Sequence, residues 1–197
     1  MRKKSHVSLG RYLAYDMDCA ELFRHRKAFI LGNALPDCKP SFVTTKHEFE
    51  ETAAAVFGAI ERLVLLDEKY EENDRAFCRD LGQVIHYLAD YFTYPHNAHF
   101  KGNLKDHCMY EKQLKNQLGA YIRGGYQAEA FPQLAEVHTP GSLCQYIRKM
   151  HEEYCRLPAS VELDCQYIIT VCYQVAAMVM ELSYQQRRMR YPVGVMV

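Results

Sequence analysis

Residues 86–111, HYLADYFTYPHNAHFKGNLKDHCMYE, contain four of the nine histidines in this chain of 197 residues. Within this stretch, His86 precedes Asp90 by four positions, and His107 precedes Glu111 by the same interval. Residues four apart lie on one face of an α-helix, so the spacing predicts two helices that each present an imidazole and a carboxylate. Imidazole nitrogen and carboxylate oxygen are ligands that zinc takes in catalytic sites. The segment therefore predicts two helices that together carry a candidate set of metal ligands.

Spacing alone is weak evidence for such a site. With 24 acidic residues in the chain, a histidine has a ~12% chance of an acid four positions later, and such pairs also arise as ordinary helix-surface contacts. Three pairs occur, the third being His47 and Glu51. The density of imidazoles is more informative, because His96 and His99 lie between the two predicted helices. On spacing and density, a metal site and solvated helix surfaces both remain open.

Helical periodicity extends along the whole chain. Apolar residues recur at intervals of three and four, and neither strand alternation nor an internal repeat is found. Six main helices are predicted, with caps and breakers setting their ends: Ser5 to about Arg24; Lys46 to beyond Leu66, capped by Thr45 with Glu48; Asn73 or Asp74 to near Pro95; Asn103 or Leu104 to Gly124–Gly125; about Ser142 to Arg156; and Ala159 to Arg188. With short connections and no linker, the pattern predicts an all-α, single-domain bundle over residues 1–197.

The last predicted helix contains an uncharged stretch from Cys165 to Met180. This stretch is short for a membrane span and includes two glutamines, so we predict a buried helix instead. One apolar stripe is predicted to belong to the core and not to a lipid groove: Ile168, Val171, Cys172, Val175, Val179 and Leu182.

Charge and cysteine usage limit the possible partners and compartment. Lysine plus arginine and aspartate plus glutamate each number 24, which argues against a partner held by bulk charge, such as duplex DNA or an anionic membrane. A small phosphorylated substrate at a local site is compatible with this balance.

None of the eight cysteines forms a C-x-x-C pair, and no apolar run follows the basic N-terminus. We therefore expect a cytosolic protein with reduced thiols and no membrane span; its oligomeric state is open.

The stretch LGQVIHYLADYFTYPHNAHF, followed by HCMYE, resembles the signature of the zinc-dependent phospholipase C family. That family includes bacterial phosphatidylcholine-preferring phospholipases and the catalytic domains of alpha-toxins. Its signature has the form GxxxHYxxDxxxPxHxxNF, then His and Glu four apart. Upstream, GNALPD resembles the family loop that carries a metal-binding aspartate, KHEFE supplies a further histidine, and SHVSLGRYL resembles the first helix. The matching positions cover about the first 111 residues.

The resemblance implies a multi-helix bundle with three zinc sites. Their implied ligands are Asp37, His47, His86 and a shared Asp90 in the first site; His96, His107 and Glu111 in the second; and His6 with the same Asp90 in the third. In secreted members the processed N-terminal residue completes the third site. Here we expect that chelate to be replaced by Ser5, by the Lys3–Lys4 segment or by water, so two ions should be firmly held and the third weak or absent. His99, where the family usually has Asn, is taken as a candidate substrate contact.

The implied activity is phosphoester hydrolysis, in which zinc activates water for attack on phosphorus. Asp37 would act as both ligand and general base, by resemblance. The implied substrate is a small phosphoester or a phospholipid. The related single-strand nucleases share the metal architecture, so a nuclease or a small-molecule phosphatase remains an alternative, as does a helical module that binds metal without catalysis.

Overall fold

The computed structural model describes residues 1–38, 47–126 and 136–191. Within these ranges the chain forms α-helices and short 3-10 turns, with no strand. The α-helices, in chain order, are α1 (Lys3–Asp16), α2 (Ala20–Arg24), α3 (Arg26–Ala34), α4 (Phe49–Val64), α5 (Glu68–Glu71), α6 (Asp74–Tyr91), α7 (Leu104–Arg123), α8 (Pro140–Arg156) and α9 (Val161–Arg190). The 3-10 turns are Pro36–Cys38 and Tyr94–His96. The all-α prediction is confirmed.

Two long helices organise the core. Helix α6 packs against α1, α3, α4, α5 and α9, and α9 also packs against α4, α7 and α8. All six members of the apolar stripe predicted for the last helix are buried, which confirms that prediction. By length and composition α9 could cross a membrane, but 67% of its most apolar window is buried inside the fold. Helix α9 is thus the core helix that the sequence predicted.

The N-terminal third differs from the sequence-based prediction. The helix expected from Ser5 begins at Lys3 and ends at Asp16, and α2 and α3 follow as separate helices. Helix α3 was missed because Gly32 reads as a helix breaker. In the fold Gly32 instead allows close packing, since a Cβ there would overlap the carbonyl oxygen of Arg79 on α6. Nine helices are therefore described where six were expected.

The other predicted helix ends agree more closely with the fold. Helix α4 begins at Phe49 with Glu48 as its N-cap, and the predicted cap Thr45 lies outside the described residues. The side chain of Asn73 caps α6, as predicted. Asn103 caps α7, also as predicted. All eight cysteines are free thiols.

Asn103→Ala should lower the free energy of unfolding by about 1 kcal/mol. The Asn103 side chain accepts hydrogen bonds from the backbone N–H groups of Lys105 (2.8 Å) and Asp106 (3.1 Å), which have no partner inside the helix. Urea unfolding followed by circular dichroism measures the effect. Asn116→Ala, at an exposed mid-helix position of α7, is the matched control and should be neutral or slightly stabilising. Equal losses in the two variants would contradict the capping role.

Candidate metal centre

Six different parts of the fold deliver the predicted ligands to one place. Helix α6 supplies two of them and α7 another two, α1 supplies one, each 3-10 turn supplies one, and the last comes from the segment before α4. In chain order they are His6, Asp37, His47, His86, Asp90, His96, His107 and Glu111. They form three groups whose ligand atoms lie within 4.8 Å of one another: His6, Asp37 and His86; His47, His86 and Asp90; and His96, His107 and Glu111.

Asp90 lies at the centre of this arrangement. It is buried, and its Oδ2 is 3.0 Å from His47 Nδ1 and 3.3 Å from His86 Nε2. Its Oδ1 is 3.2 Å from His6 Nε2. One carboxylate therefore contacts three imidazoles from three separate elements, which is the arrangement expected of a ligand shared between ions.

The tautomer of His86 is set by the main chain of α3. Its Nδ1 is 2.8 Å from the carbonyl oxygen of Asn33, and because a carbonyl can only accept, Nδ1 carries the proton. The lone pair is then on Nε2, which lies 3.6 Å from Asp37 Oδ1 and 3.2 Å from His47 Nδ1. A metal-binding histidine usually donates its other N–H to such an oxygen. Asn33 thus orients a candidate ligand, and nothing in the sequence indicated this contact.

His6 is the side chain that most needs a partner. It is fully buried and stacks on His86 with ring centroids 3.6 Å apart. Although its Nε2 lies 3.2 Å from Asp90 Oδ1, neither of its ring nitrogens has the geometry of a hydrogen bond to any residue that the structure describes. Burial, together with the neighbouring His86, lowers the pKa of His6 to about 3, so the imidazole is neutral with a lone pair available. Since buried polar atoms are nearly always satisfied, this imidazole fits a metal ligand.

The group of His96, His107 and Glu111 joins the turn at Tyr94–His96 to helix α7. His96 Nε2 lies 3.4 Å from Glu111 Oε1, and His107 Nε2 lies 3.2 Å from the same oxygen. Burial alone would raise the pKa of Glu111, but the two imidazoles that contact its carboxylate hold it far below its usual value. An ionised carboxylate with two imidazoles supplies three zinc ligands and leaves a coordination position open.

The α-amino nitrogen of Met1 lies between the groups. It is 2.5 Å from Asp90 Oδ1, 2.7 Å from His96 Nε2 and 3.1 Å from Glu111 Oε1. Burial alone would lower the pKa of this amine, but the two carboxylates raise it above its usual value. For Asp90, burial alone would raise the pKa, whereas the amine and the imidazoles hold it well below its usual range. The sequence analysis considered Ser5, the Lys3–Lys4 segment and water as replacements for the N-terminal chelate of the third site. It did not identify Met1.

The groups open into a cleft of about 720 Å³, a size typical of small-ligand sites. Asp37, His96, His107 and Glu111 line it, and so does Phe100. Asp37 as a whole residue is only partly buried, but its side chain is 8% exposed, compared with 1% for Asp90. Burial raises the pKa of Asp37, with His86 acting in the opposite direction.

The remaining histidines lie outside the metal groups found in the described part of the chain. His99 is exposed, packs against Tyr94 with ring centroids 5.0 Å apart, and does not line the cleft. His151 is buried, stacks on Phe49 and donates from Nε2 to Asn97 Oδ1 at 2.8 Å. His151 therefore occupies a core position in which its ring has a hydrogen-bond partner.

Comparison with known protein families shows a match over most of the chain. Residues 5–160 match the family described as zinc dependent phospholipase C. This region contains all eight candidate ligands and extends past residue 111, where the sequence-based resemblance ended, up to the start of α9. No curated protein and no solved structure matches the chain.

Proposed function

The chain belongs to the zinc-dependent phospholipase C family, and from this premise we propose that it is a zinc-dependent hydrolase that cleaves a phosphoester bond. The family suggests a phospholipase C-like activity, and the His, Asp and Glu groups suggest zinc binding. The observation that carries the proposal is the meeting of three ligand groups at an open cleft, with His6 buried among them and lacking a hydrogen-bond partner in the described part of the chain.

The ligands divide among ions as follows in our proposal. One ion is bound by His96, His107 and Glu111. His47, His86 and Asp90 bind another. His86 can bind only one ion, through the lone pair of Nε2, because Nδ1 is hydrogen-bonded to Asn33. We assign Asp37 to the same ion as His86. The third ion is left with His6 and the shared Asp90, which lie 3.2 Å apart, and with the amine of Met1.

The chain's own groups would divide the chemistry. Bound zinc supplies a Lewis acid that lowers the pKa of water and neutralises charge on a phosphoryl group. Asp37 lines the cleft with 8% of its side chain exposed, so it can reach water and accept the proton released as water attacks phosphorus. Asp90 is buried and remains ionised, which suits a ligand and not a proton acceptor. Phe100 and Leu104 provide apolar cleft wall for the alcohol part of the substrate.

A substrate panel tests the activity. We expect zinc-loaded protein to hydrolyse at least one class among chromogenic phosphoesters, phospholipids and single-stranded DNA, and we expect chelation to abolish the activity and zinc to restore it. Hydrolysis confined to DNA would favour the nuclease alternative, and hydrolysis confined to small phosphomonoesters would favour a phosphatase. Protein that retains zinc and is inert on every class would be a metal-binding module without catalysis.

The third ion should depend on a free α-amine at Met1. Protein made with Met1 as its first residue should retain one more zinc equivalent after dialysis than protein extended by Gly-Ser before Met1, because an amide nitrogen is a poor zinc ligand. His6→Ala should lose the same equivalent and leave the other two in place. Elemental analysis measures the content, and a Gly-Ser extension at the other end of the chain is the control. Equal zinc content in all these proteins would show that the amine holds no ion.

A further inference from the structure

Asp164, in the first turn of α9, carries a completely buried carboxylate. Its Oδ2 accepts a hydrogen bond from the backbone N–H of Tyr94 at 2.9 Å, and its Oδ1 accepts one from the hydroxyl of Tyr154 at 2.7 Å. Burial raises the pKa of Asp164 to about 6, although both hydrogen bonds act in the opposite direction. The start of α9 does not require this carboxylate, because Ser160 caps the helix by accepting the N–H of Leu163 at 3.0 Å. Since burying a carboxylate is costly, the two hydrogen bonds of Asp164 call for a role outside α9.

The hydrogen bond to Tyr94 ties a ligand-bearing turn to α9. Tyr94 is the first residue of the 3-10 turn that ends at His96. Further hydrogen bonds here are local: His96 N–H donates to the carbonyl oxygen of Thr93 at 2.9 Å, and Asn97 Nδ2 donates to the carbonyl oxygens of Tyr91 and Thr93. These local bonds fix the shape of the turn. They leave its position relative to α7 to contacts from more distant parts of the chain.

Helix α9 supports both elements that supply one group of ligands. We call this group the His96 group, and its members are His96, His107 and Glu111. Helix α7, which carries His107 and Glu111, packs against α9, and Asp164 holds the turn to the same helix. Attachment of both elements to one helix sets the separation of His96 Nε2 and Glu111 Oε1, which is 3.4 Å.

We propose that Asp164 is a positioning residue for the ion that the His96 group binds, and this inference rests on the proposed function for the presence of that ion. Asp164 does not line the cleft, and its hydrogen bond is to the main chain of Tyr94, so it acts through the placement of the turn. Asp164 also lies outside residues 5–160, the region that matches the family. Replacement of a residue that orients a ligand typically weakens metal binding by about 10- to 100-fold.

Zinc affinity, measured by competition with a chelator, tests the role of Asp164. Asp164→Asn keeps the size of the side chain but has one acceptor oxygen, so it cannot accept from Tyr94 and Tyr154 together. We expect the His96 group to bind zinc about ten-fold more weakly in this variant and the other ions to be bound as before. Should Asp164→Asn fail to fold, as judged by circular dichroism, Asp164→Glu keeps the charge but displaces the carboxylate and serves the same comparison.

Two further proteins separate positioning from a general loss of stability. Asp80→Asn is the matched control, because Asp80 is also a largely buried carboxylate that accepts from a tyrosine hydroxyl, that of Tyr70 at 3.0 Å, but it belongs to none of the metal groups in the described residues. It should leave zinc affinity unchanged. A His107→Ala background identifies the ion concerned. There the His96 group has already lost its ion, so Asp164→Asn should change zinc binding no further.

Three outcomes would overturn the positioning role alone. They are equal zinc affinity in Asp164→Asn and the unmodified protein, the same loss in Asp80→Asn, and a loss that persists in the His107→Ala background. If the His96 group of the unmodified protein bound no zinc, this inference and the proposed function would fail together. Protein that binds zinc at the His96 group but hydrolyses no phosphoester would overturn only the proposed function, because the affinity is measured without substrate.

Discussion

Asp90→Asn is expected to reduce the rate of phosphoester hydrolysis by at least about 10³-fold and to retain no more than one zinc equivalent per chain. The reason is the central position of Asp90, whose two oxygens lie within 3.3 Å of His6, His47 and His86. An amide offers a neutral oxygen to at most one of these directions, and its NH₂ group repels a cation. Both ions that share Asp90 in our proposal should therefore be lost, whereas the ion bound by His96, His107 and Glu111 should be retained.

The same helix offers a matched control. Asp80 is also largely buried on α6, but its partners are structural: Lys69, the phenol of Tyr70 at 3.0 Å and the guanidinium of Arg79 at 2.8 Å. Asp80→Asn should lower stability and leave zinc content and activity close to those of the unmodified protein. Elemental analysis and initial rates on the best substrate of the panel measure both variants. If Asp90→Asn kept its zinc and its rate, the assignment of Asp90 as a shared ligand would be wrong.

Gly82→Ala is expected to destabilise the fold by about 3 kcal/mol or more, since overpacking at a contact between rigid backbones cannot relax cheaply. A Cβ at Gly82 would overlap the carbonyl oxygen of Phe29 and lie 3.0 Å from the backbone nitrogen of Asn33. Both are main-chain atoms of α3, so the two helices would have to separate. That separation would also pull the Asn33 carbonyl away from His86, so zinc affinity should fall together with stability.

Gly58→Ala is the matched control for this substitution. Gly58 also lies within a helix, α4, but a Cβ there would meet only the end of the flexible Arg62 side chain, at 3.4 Å. Alanine should therefore stabilise the fold by about 0.5–1 kcal/mol, because it is the better helix former. Urea unfolding at a fixed zinc concentration gives both values. A loss of similar size in both variants would show that close packing of α3 on α6 is not what requires Gly82.

The sequence predicted the parts of the site that lie on one helix more securely than the parts that tertiary packing assembles. His86 with Asp90 and His107 with Glu111 were found by spacing, and both pairs fall in metal groups. The same spacing also selects His47 with Glu51, yet Glu51 belongs to none of the groups found among the described residues and lines a different cavity. Spacing places two side chains on one face of a helix but does not say what that face meets. Resemblance to a known signature was needed to separate these cases.

Two contributors to the site could not be read from the sequence. Asn33 acts through its backbone carbonyl, which every residue has, so its side chain gives no signal. The α-amine of Met1 contacts the site, and its position depends on where α1 begins and on how α1 packs. Helix α3 itself was missed for a related reason. Gly32 was interpreted as a helix breaker, which is the usual effect of glycine, and its role in close helix packing was not recognised. In each case the deciding information is a main-chain atom and its distance from another helix.

Helix α9 has a consequence for how the chain is made. It packs against α4, α6, α7 and α8, yet all four precede it in the sequence. During synthesis, the apolar surfaces that α9 covers remain exposed until residues 161–190 leave the ribosome. Nascent chains with such surfaces tend to aggregate and to engage chaperones. We therefore expect the metal ligands, although all are synthesised by residue 111, to acquire their final positions only after α9 has docked.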